Sequence, residues 1–452
     1  MTGKDLIDLG YEPGAWFKDA LAHINQHELT GDDLRAFLES RAPPPKLALQ
    51  AGAPIHRNIR AETELEQDNV TKVFETMEAL VTVPTITAGA IMPDACPAGA
   101  VGTIPVGGVA VAKGAIHPGM HSADICCSVM ATEFPEASPK AVLDAVHKAT
   151  HFGPGGRPNG QRYTMSPRLL DQFRENRYLS DNRILQSAQE HLGTQGDGNH
   201  FAFVGISETS GRTVLVTHHG SRAPGAGLYK LGMRDAEKYR RKLCPEAHKA
   251  NAWLPFDTAE GAAYWEALQI IRMWTKANHN CLHAAAGEIA KTKSGHRFWN
   301  EHNFVFRDGD DFYHAKGATP VDSSFLPDTD GIQIIPLNMA EPVLLVRGNR
   351  TSTNLGFAPH GAGRNYSRSA HKRSNEARSE HDIFAEETAG LDVRFFHNNI
   401  DISELPSAYK NASSVRKQIG EFGLCDVVDQ IMPFGCIMAG DWERDAPWRK
   451  RR

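Results

Sequence analysis

The 452 residues are 41% hydrophobic and 23% charged, the balance of a globular chain with a sizeable core, and their number allows two or three ordinary domains or one large α/β domain. A formal net charge of -5 gives no global basic signature and weighs against general polyanion binding, so any contact with nucleic acid has to come from a local patch. Seven cysteines, odd in number and spread from Cys96 to Cys436, are not the even framework of a secreted disulfide scaffold; without a basic-then-apolar amino terminus or a run of about 18 apolar residues, a cytoplasmic protein outside the membrane is expected.

Residues 1–60 read as an appendage. A short amphipathic stretch from Leu29 to Leu38 ends at Pro43-Pro44-Pro45, which stops a helix and stiffens the connection. Val70, Val73, Phe74, Met77 and Leu80 recur at helical spacing, which predicts a helix between Ala61 and Leu80. From Val83 to Phe134 short apolar runs alternate with Gly and Pro and predict strands and tight loops. Ser138-Pro139 supplies a cap and a first-turn proline for a helix carrying Val142, Leu143 and Val146. The Arg-rich segment from Gly153 to Asn182 reads as loop and surface helix.

Strands are predicted at Phe201–Val204 and Thr213–Val216, and a long helix from near Asp257 to Thr292 with Ala263, Leu268, Ile271 and Trp274 buried. Asp308-Gly309-Asp310 between Phe304-Val305-Phe306 and Phe312-Tyr313-His314 is a hairpin turn, which places His302 on its first strand. Val343 to Val346 is a further strand. Arg364, Arg368, Lys372, Arg373 and Arg378 make one concentrated basic stretch suited to phosphates, and residues 441–452 read as a basic tail.

Across this framework histidines arrive in islands bordered by apolar strand residues on one side and Gly, Asn or Arg on the other. They are Asn199-His200, His218-His219-Gly220-Ser221-Arg222, Glu301-His302-Asn303 and His360-Gly361-Ala362-Gly363-Arg364. Asp124 and Cys127 begin the series. A carboxylate, a thiolate and neutral imidazoles suit a transition metal of borderline softness, leaving Zn, Mn, Fe or Co open. Taken singly, each of these side chains is more often a core or capping residue than a ligand; together, at strand ends, they point to a shared site. His360 stands between glycine-bearing turns and four residues before Arg364, an arrangement open both to attack on phosphorus and to a plain loop hydrogen bond.

Eight ordered motifs over roughly residues 85 to 440 resemble the RtcB family of RNA-splicing ligases. They are Met92-Pro93-Asp94, Pro105 to Ala110, Asp124-Ile125-Cys126-Cys127, Gly198-Asn199-His200-Phe201, His218 to Arg222, His302-Asn303, Lys316-Gly317-Ala318-Thr319 and His360 to Arg364. The resemblance implies a two-manganese site with Cys127 bridging and Asp124, His200, His218 and His302 as the other ligands. It implies that His360 takes GMP from GTP and passes it to an RNA 3′-phosphate, often formed from a 2′,3′-cyclic phosphate, after which a 5′-hydroxyl displaces it. Asn199, Asn338, Gly361, Ala362, Gly363, Arg364 and Tyr409 then belong to the nucleotide site, and Arg222, Lys316 and Arg368 to RNA phosphates.

Departures from the family pattern gather around the nucleotide. Met438 or Ala439 stands where a lysine is usual, Phe203 where a glutamate is usual, Cys96 where a histidine is usual, and Leu337-Asn338-Met339-Ala340 replaces a glycine-bearing stretch. The expected fold is a single large mixed α/β domain over residues 61–440, with mixed β-sheets around a dinuclear metal cavity and helices outside. The expected function is a manganese- and GTP-dependent RNA ligase in RNA repair or tRNA splicing. A metal phosphoesterase on cyclic phosphate ends and a non-ligating RNA-end-binding protein are the alternatives.

Overall fold

Strand and helix boundaries follow the local chemistry of the chain. The helix Glu64–Leu80 starts at Thr63, whose side chain accepts from the Glu66 N–H, and buries Val70, Val73, Met77 and Leu80. The helix Pro139–Ala149 starts at Ser138 with Pro139 in its first turn, where a missing N–H costs nothing. Both match the sequence-based expectation. The computed structural model describes residues 1–326 and 330–444, so the expected tail from Trp448 to Arg452 lies outside the described residues.

Residues 1–48 with 242–244 form one compact unit and the remainder a second. In the first, the helices Gly3–Asp8, Trp16–Gln26 and Gly31–Arg41 gather around Leu6, Ala20, Ile24 and Leu38. Residues 55–57, grouped by sequence with the appendage, pair in parallel with residues 89–91, so the segment after Ala48 counts with the larger unit.

The larger unit is mixed α/β and is built on two main sheets. The five-stranded sheet runs Ile55–Arg57, Ile86–Cys96, Val106–Lys113, Asp311–Lys316, Asn303–Asp308. In the eight-stranded sheet the order is Gln333–Ile335, Val343–Arg347, Asp426–Met438, Phe201–Ser207, Thr213–His219, Ser128–Phe134, Arg297–Glu301, with Asp392–Phe395 alongside Asp426–Met438. Its ends nearly meet. The Asn300 side chain accepts from the Ile334 N–H at 2.8 Å and donates to the Ile334 carbonyl at 3.4 Å, standing in for a strand partner. Pro433 has no N–H to give the ladder, and the register with Phe201–Ser207 shifts there.

His302 lies between Arg297–Glu301 of one sheet and Asn303–Asp308 of the other, not within the hairpin strand expected from sequence. The chain changes sheets at that residue, which places its side chain where the two sheets meet. Helix Ala259–Ala290 covers the eight-stranded sheet and buries Tyr264, Leu268, Ile271 and Trp274; Ala263 is only half-buried, one position off the buried face. The helix Arg222–Leu243 was not anticipated; it carries Pro224 and Gly225 near its start, residue types that oppose a helix interior.

Candidate metal centre

Asp124 and Cys127 reach one site because the chain between them is held in an uncommon conformation. Cys126 has φ of 57°, a left-handed value that disfavours a side chain, and its N–H is pinned by the Asn303 carbonyl at 2.6 Å. The Cys127 N–H closes back on the Asp124 carbonyl at 3.2 Å. Gly220 is required opposite: a Cβ there would lie 2.0 Å from Asp124 Oδ1.

Two donor groups result, and Cys127 belongs to both. One contains Cys127, His218 and His302; the other Asp124, Cys127 and His200, with the ligand atoms of each within 4.8 Å of one another. Cys127 Sγ lies 3.1 Å from His218 Nε2 and 3.6 Å from His200 Nε2. His200 Nε2 is 3.1 Å from Asp124 Oδ2, and His218 Nε2 is 3.1 Å from His302 Nε2. The five residues expected as ligands therefore converge.

Their tautomers are fixed from behind. His218 Nδ1 faces the Asn199 carbonyl at 3.0 Å and His200 Nδ1 the Gln195 carbonyl at 2.6 Å, so each Nδ1 carries the proton and each Nε2 presents a lone pair to the site. Burial drives His218 down to about 3 and His302 well below its usual range, which keeps both rings neutral. Burial, together with the neighbouring Asp124, pushes the Cys127 thiol well above its usual range. Burial also acts to raise Asp124, but the hydrogen bond and charge of His200 outweigh it and leave the carboxyl below its ordinary value. A thiol, a carboxylate and three imidazoles whose donor atoms lie this close together fit divalent cations, whose charge would hold the thiolate.

His360 faces this centre with its ring centroid 4.8 Å from that of His302. Asp94 Oδ2 accepts from the His360 N–H at 3.1 Å and from Nδ1 at 2.6 Å, so Nε2 is the nitrogen left for chemistry. Asp94 gets there because residues 92–95 leave the ladder between Ile86–Cys96 and Val106–Lys113. The sequence placed Asp94 in a motif and gave it no task; Pro93, which cannot extend a ladder, was the available signal.

Asp124, Cys127, His218, His302 and His360 line a cavity of about 390 Å³, within the roughly 300–1,000 Å³ typical of small-ligand sites. Asn199, Asn338, Gly361, Ala362, Gly363, Arg364, Arg368, Tyr409 and Lys316 line it too. The Asn338 side chain accepts from the Ala340 N–H at 2.9 Å. Lys316 Nζ donates to the Ile104 carbonyl at 3.1 Å, and burial lowers it to about 8. Gly363, at φ of 74°, would bring a Cβ to 1.9 Å from the Asp94 carbonyl oxygen.

Arg222 is not brought to the cavity. Its guanidinium donates to the Gly153 carbonyl at 2.8 Å and to Thr194 Oγ1 at 3.2 Å, tying two loops together. The basic stretch after residue 363 is also largely spoken for. Glu404, which no sequence signal singled out, accepts from Arg364 at 3.1 Å, Arg368 at 2.6 Å and the Tyr409 hydroxyl at 2.5 Å, while Arg364 lies over the Tyr409 ring at 4.8 Å. Lys372 pairs with Asp401 and Asp441, and Arg378 with Glu386.

Comparison with known proteins sets this geometry in context. A family profile described as tRNA-splicing ligase RtcB matches residues 168–439, more than half of the chain, taking in His200, His218, His302, His360 and Tyr409 and beginning after Asp94, Asp124 and Cys127. The tRNA-splicing ligase RtcB of Pyrococcus abyssi is 25% identical over 304 residues, 56% of this chain and 32% of that protein. The Pyrococcus furiosus protein of the same name is 25% identical over 304 residues, 56% of this chain and 30% of the relative. That of Aeropyrum pernix is 25% identical over 420 residues, covering 73% of this chain and 84% of the relative. The chain thus spans about a third of the two Pyrococcus proteins.

Proposed function

The chain belongs to the RtcB family, and from that premise we propose that it is a metal-dependent RNA ligase, joining RNA ends that carry a 3′-phosphate or 2′,3′-cyclic phosphate to ends that carry a 5′-hydroxyl. The observation that carries the reading is the sharing of Cys127 between two donor groups in front of His360. Asp124, Cys127, His200, His218 and His302 would hold two manganese ions. Such ions, when bound, neutralise charge on phosphoryl oxygens during in-line transfer.

His360 acts as the nucleophile in this reading. Asp94 holds its Nδ1 proton, aims the ring and stabilises positive charge as Nε2 bonds to the α-phosphorus of GTP. The P–N bond forms as the bond to the β-phosphate oxygen breaks, and pyrophosphate leaves. GMP then passes to the RNA 3′-phosphate, and attack by the 5′-hydroxyl expels it as the phosphodiester forms. Asn199, Lys316, Arg364 and Arg368 line the path of the phosphates, and Tyr409 offers a ring face to the nucleotide.

A phosphoesterase on cyclic ends would use the donor groups and take the Asp94–His360 pair at most as a proton acceptor and donor, whereas ligation in this reading modifies His360 covalently. The test is incubation of purified protein with Mn²⁺ and α-labelled GTP. A covalent adduct that disappears in His360→Ala is the expected outcome. Stoichiometric metal binding with no labelled protein for any nucleotide sinks the ligase reading.

A further inference from the structure

The cavity has two unlike halves. Its polar half holds Asp124, Cys127, His218, His302, His360 and the cations Lys316, Arg364 and Arg368. The other half is the inner face of the eight-stranded sheet: Phe201 and Phe203 from one strand, Cys436 and Met438 from the next, and Val343 from the strand beyond. Register puts them side by side, Phe201 opposite Met438 and Phe203 opposite Cys436, and alternation keeps them on one face. Val343, Phe203, Cys436 and Met438 are at most 3% exposed and pack into the sheet's own hydrophobic cluster.

The two carboxylates that line the cavity among the described residues are both engaged elsewhere. Asp124 pairs with His200; Glu404 takes Arg364 and Arg368 on Oε1 and the Tyr409 hydroxyl on Oε2. A ligand with phosphates at the metal centre therefore has beside it, beginning at Phe201, whose ring centroid is 5.3 Å from that of His218, a wall of aromatic, thioether and thiol groups.

Building on the nucleotidylation proposed above, we infer that this wall holds the base of the nucleotide by apolar contact, so that the site accepts purine nucleoside triphosphates with little discrimination between guanine and adenine. The two bases share size and π-face and differ in the hydrogen-bonding groups on their edges. A pocket that hydrogen-bonds a ligand edge can reject the wrong ligand by about 10⁴–10⁵-fold, whereas an apolar pocket separates near-isosteres by only about 10²-fold. Affinity then comes from phosphates and stacking, and base identity contributes little.

The experiment is calorimetric titration of the full-length protein in Mn²⁺ with the α,β-methylene analogues of GTP and ATP, which bind without transferring to His360. Dissociation constants within about 100-fold of each other are expected. A preference for either purine beyond about 100-fold overturns the inference and leaves the ligase reading standing. Binding of neither analogue removes both. Met438→Lys places a donor that pairs with guanine O6 and N7 and opposes the adenine amino group, so it should shift the ratio toward the guanine analogue by about 10-fold or more. An unchanged ratio in a folded variant takes the base away from this wall and overturns the inference.

Discussion

Two sets of buried histidines lie on either side of the same strands, and they differ in what their ring nitrogens meet. In the metal centre, His200 and His218 turn Nε2 toward a thiol, a carboxylate and another imidazole. Behind it, His279 bonds Thr217 Oγ1 at 2.7 Å and Ser128 Oγ at 3.0 Å, and His283 bonds Thr217 Oγ1 at 2.7 Å and Thr132 Oγ1 at 2.8 Å. His117 is likewise closed by Thr85 Oγ1 and the Asn251 carbonyl. Burial alone does not mark a ligand. Rings satisfied on both nitrogens by hydroxyls and carbonyls are structural, while rings whose second nitrogen meets only other donors for a cation form a site.

The sharpest way to break this contrast is Cys127→Ala. Both donor groups lose their common member, and bound divalent metal, read by elemental analysis of protein dialysed after loading, should fall to background; retention of the wild-type content would mean that the two groups are not one centre. Next is Asp94→Asn, which keeps the shape but leaves the His360 Nδ1 proton without its anion. Labelling by α-labelled GTP should slow by about 10–100-fold with metal content unchanged.

Acid acts on the structural set. Burial holds His117 at about 3 and His121 at about 4, against an ordinary value near 6.5. With folded values depressed, the unfolded chain binds more protons below pH 6.5, so stability is full above that pH and is lost as pH falls toward 4 and then 3. At pH 5 the two together should cost about 2–4 kcal/mol, seen as a lower melting temperature for metal-free protein than at pH 7. Thr217→Val is the mildest test. It strips the hydroxyl shared by His279 and His283 and should cost about 1–3 kcal/mol in thermal unfolding while leaving metal content intact. Loss of metal in that variant would erase the distinction between the two sets.

Much of this was legible in order along the chain. Capping residues and apolar periodicity located the helices at Glu64–Leu80, Pro139–Ala149 and Ala259–Ala290, and the Asp308–Asp310 turn located its hairpin, because these signals are local and act within a few residues. The helix Arg222–Leu243 was not legible; it carries Pro224, whose position within the first turn cannot be known until the helix start is.

The sequence by itself also determined which side chains were candidates, since a thiol, an acid and histidines at strand ends are chemistry that composition can display. Tertiary structure decided which candidates met. It put His302 at the change of sheets, bent residues 92–95 so that Asp94 reaches His360, and turned Arg222 into a tie between loops. It also spent much of the basic stretch on Glu404, Asp401 and Asp441. Those outcomes depend on residues separated by tens to hundreds of positions, and the physical reason is that burial leaves each polar group needing whatever partner the fold brings to it.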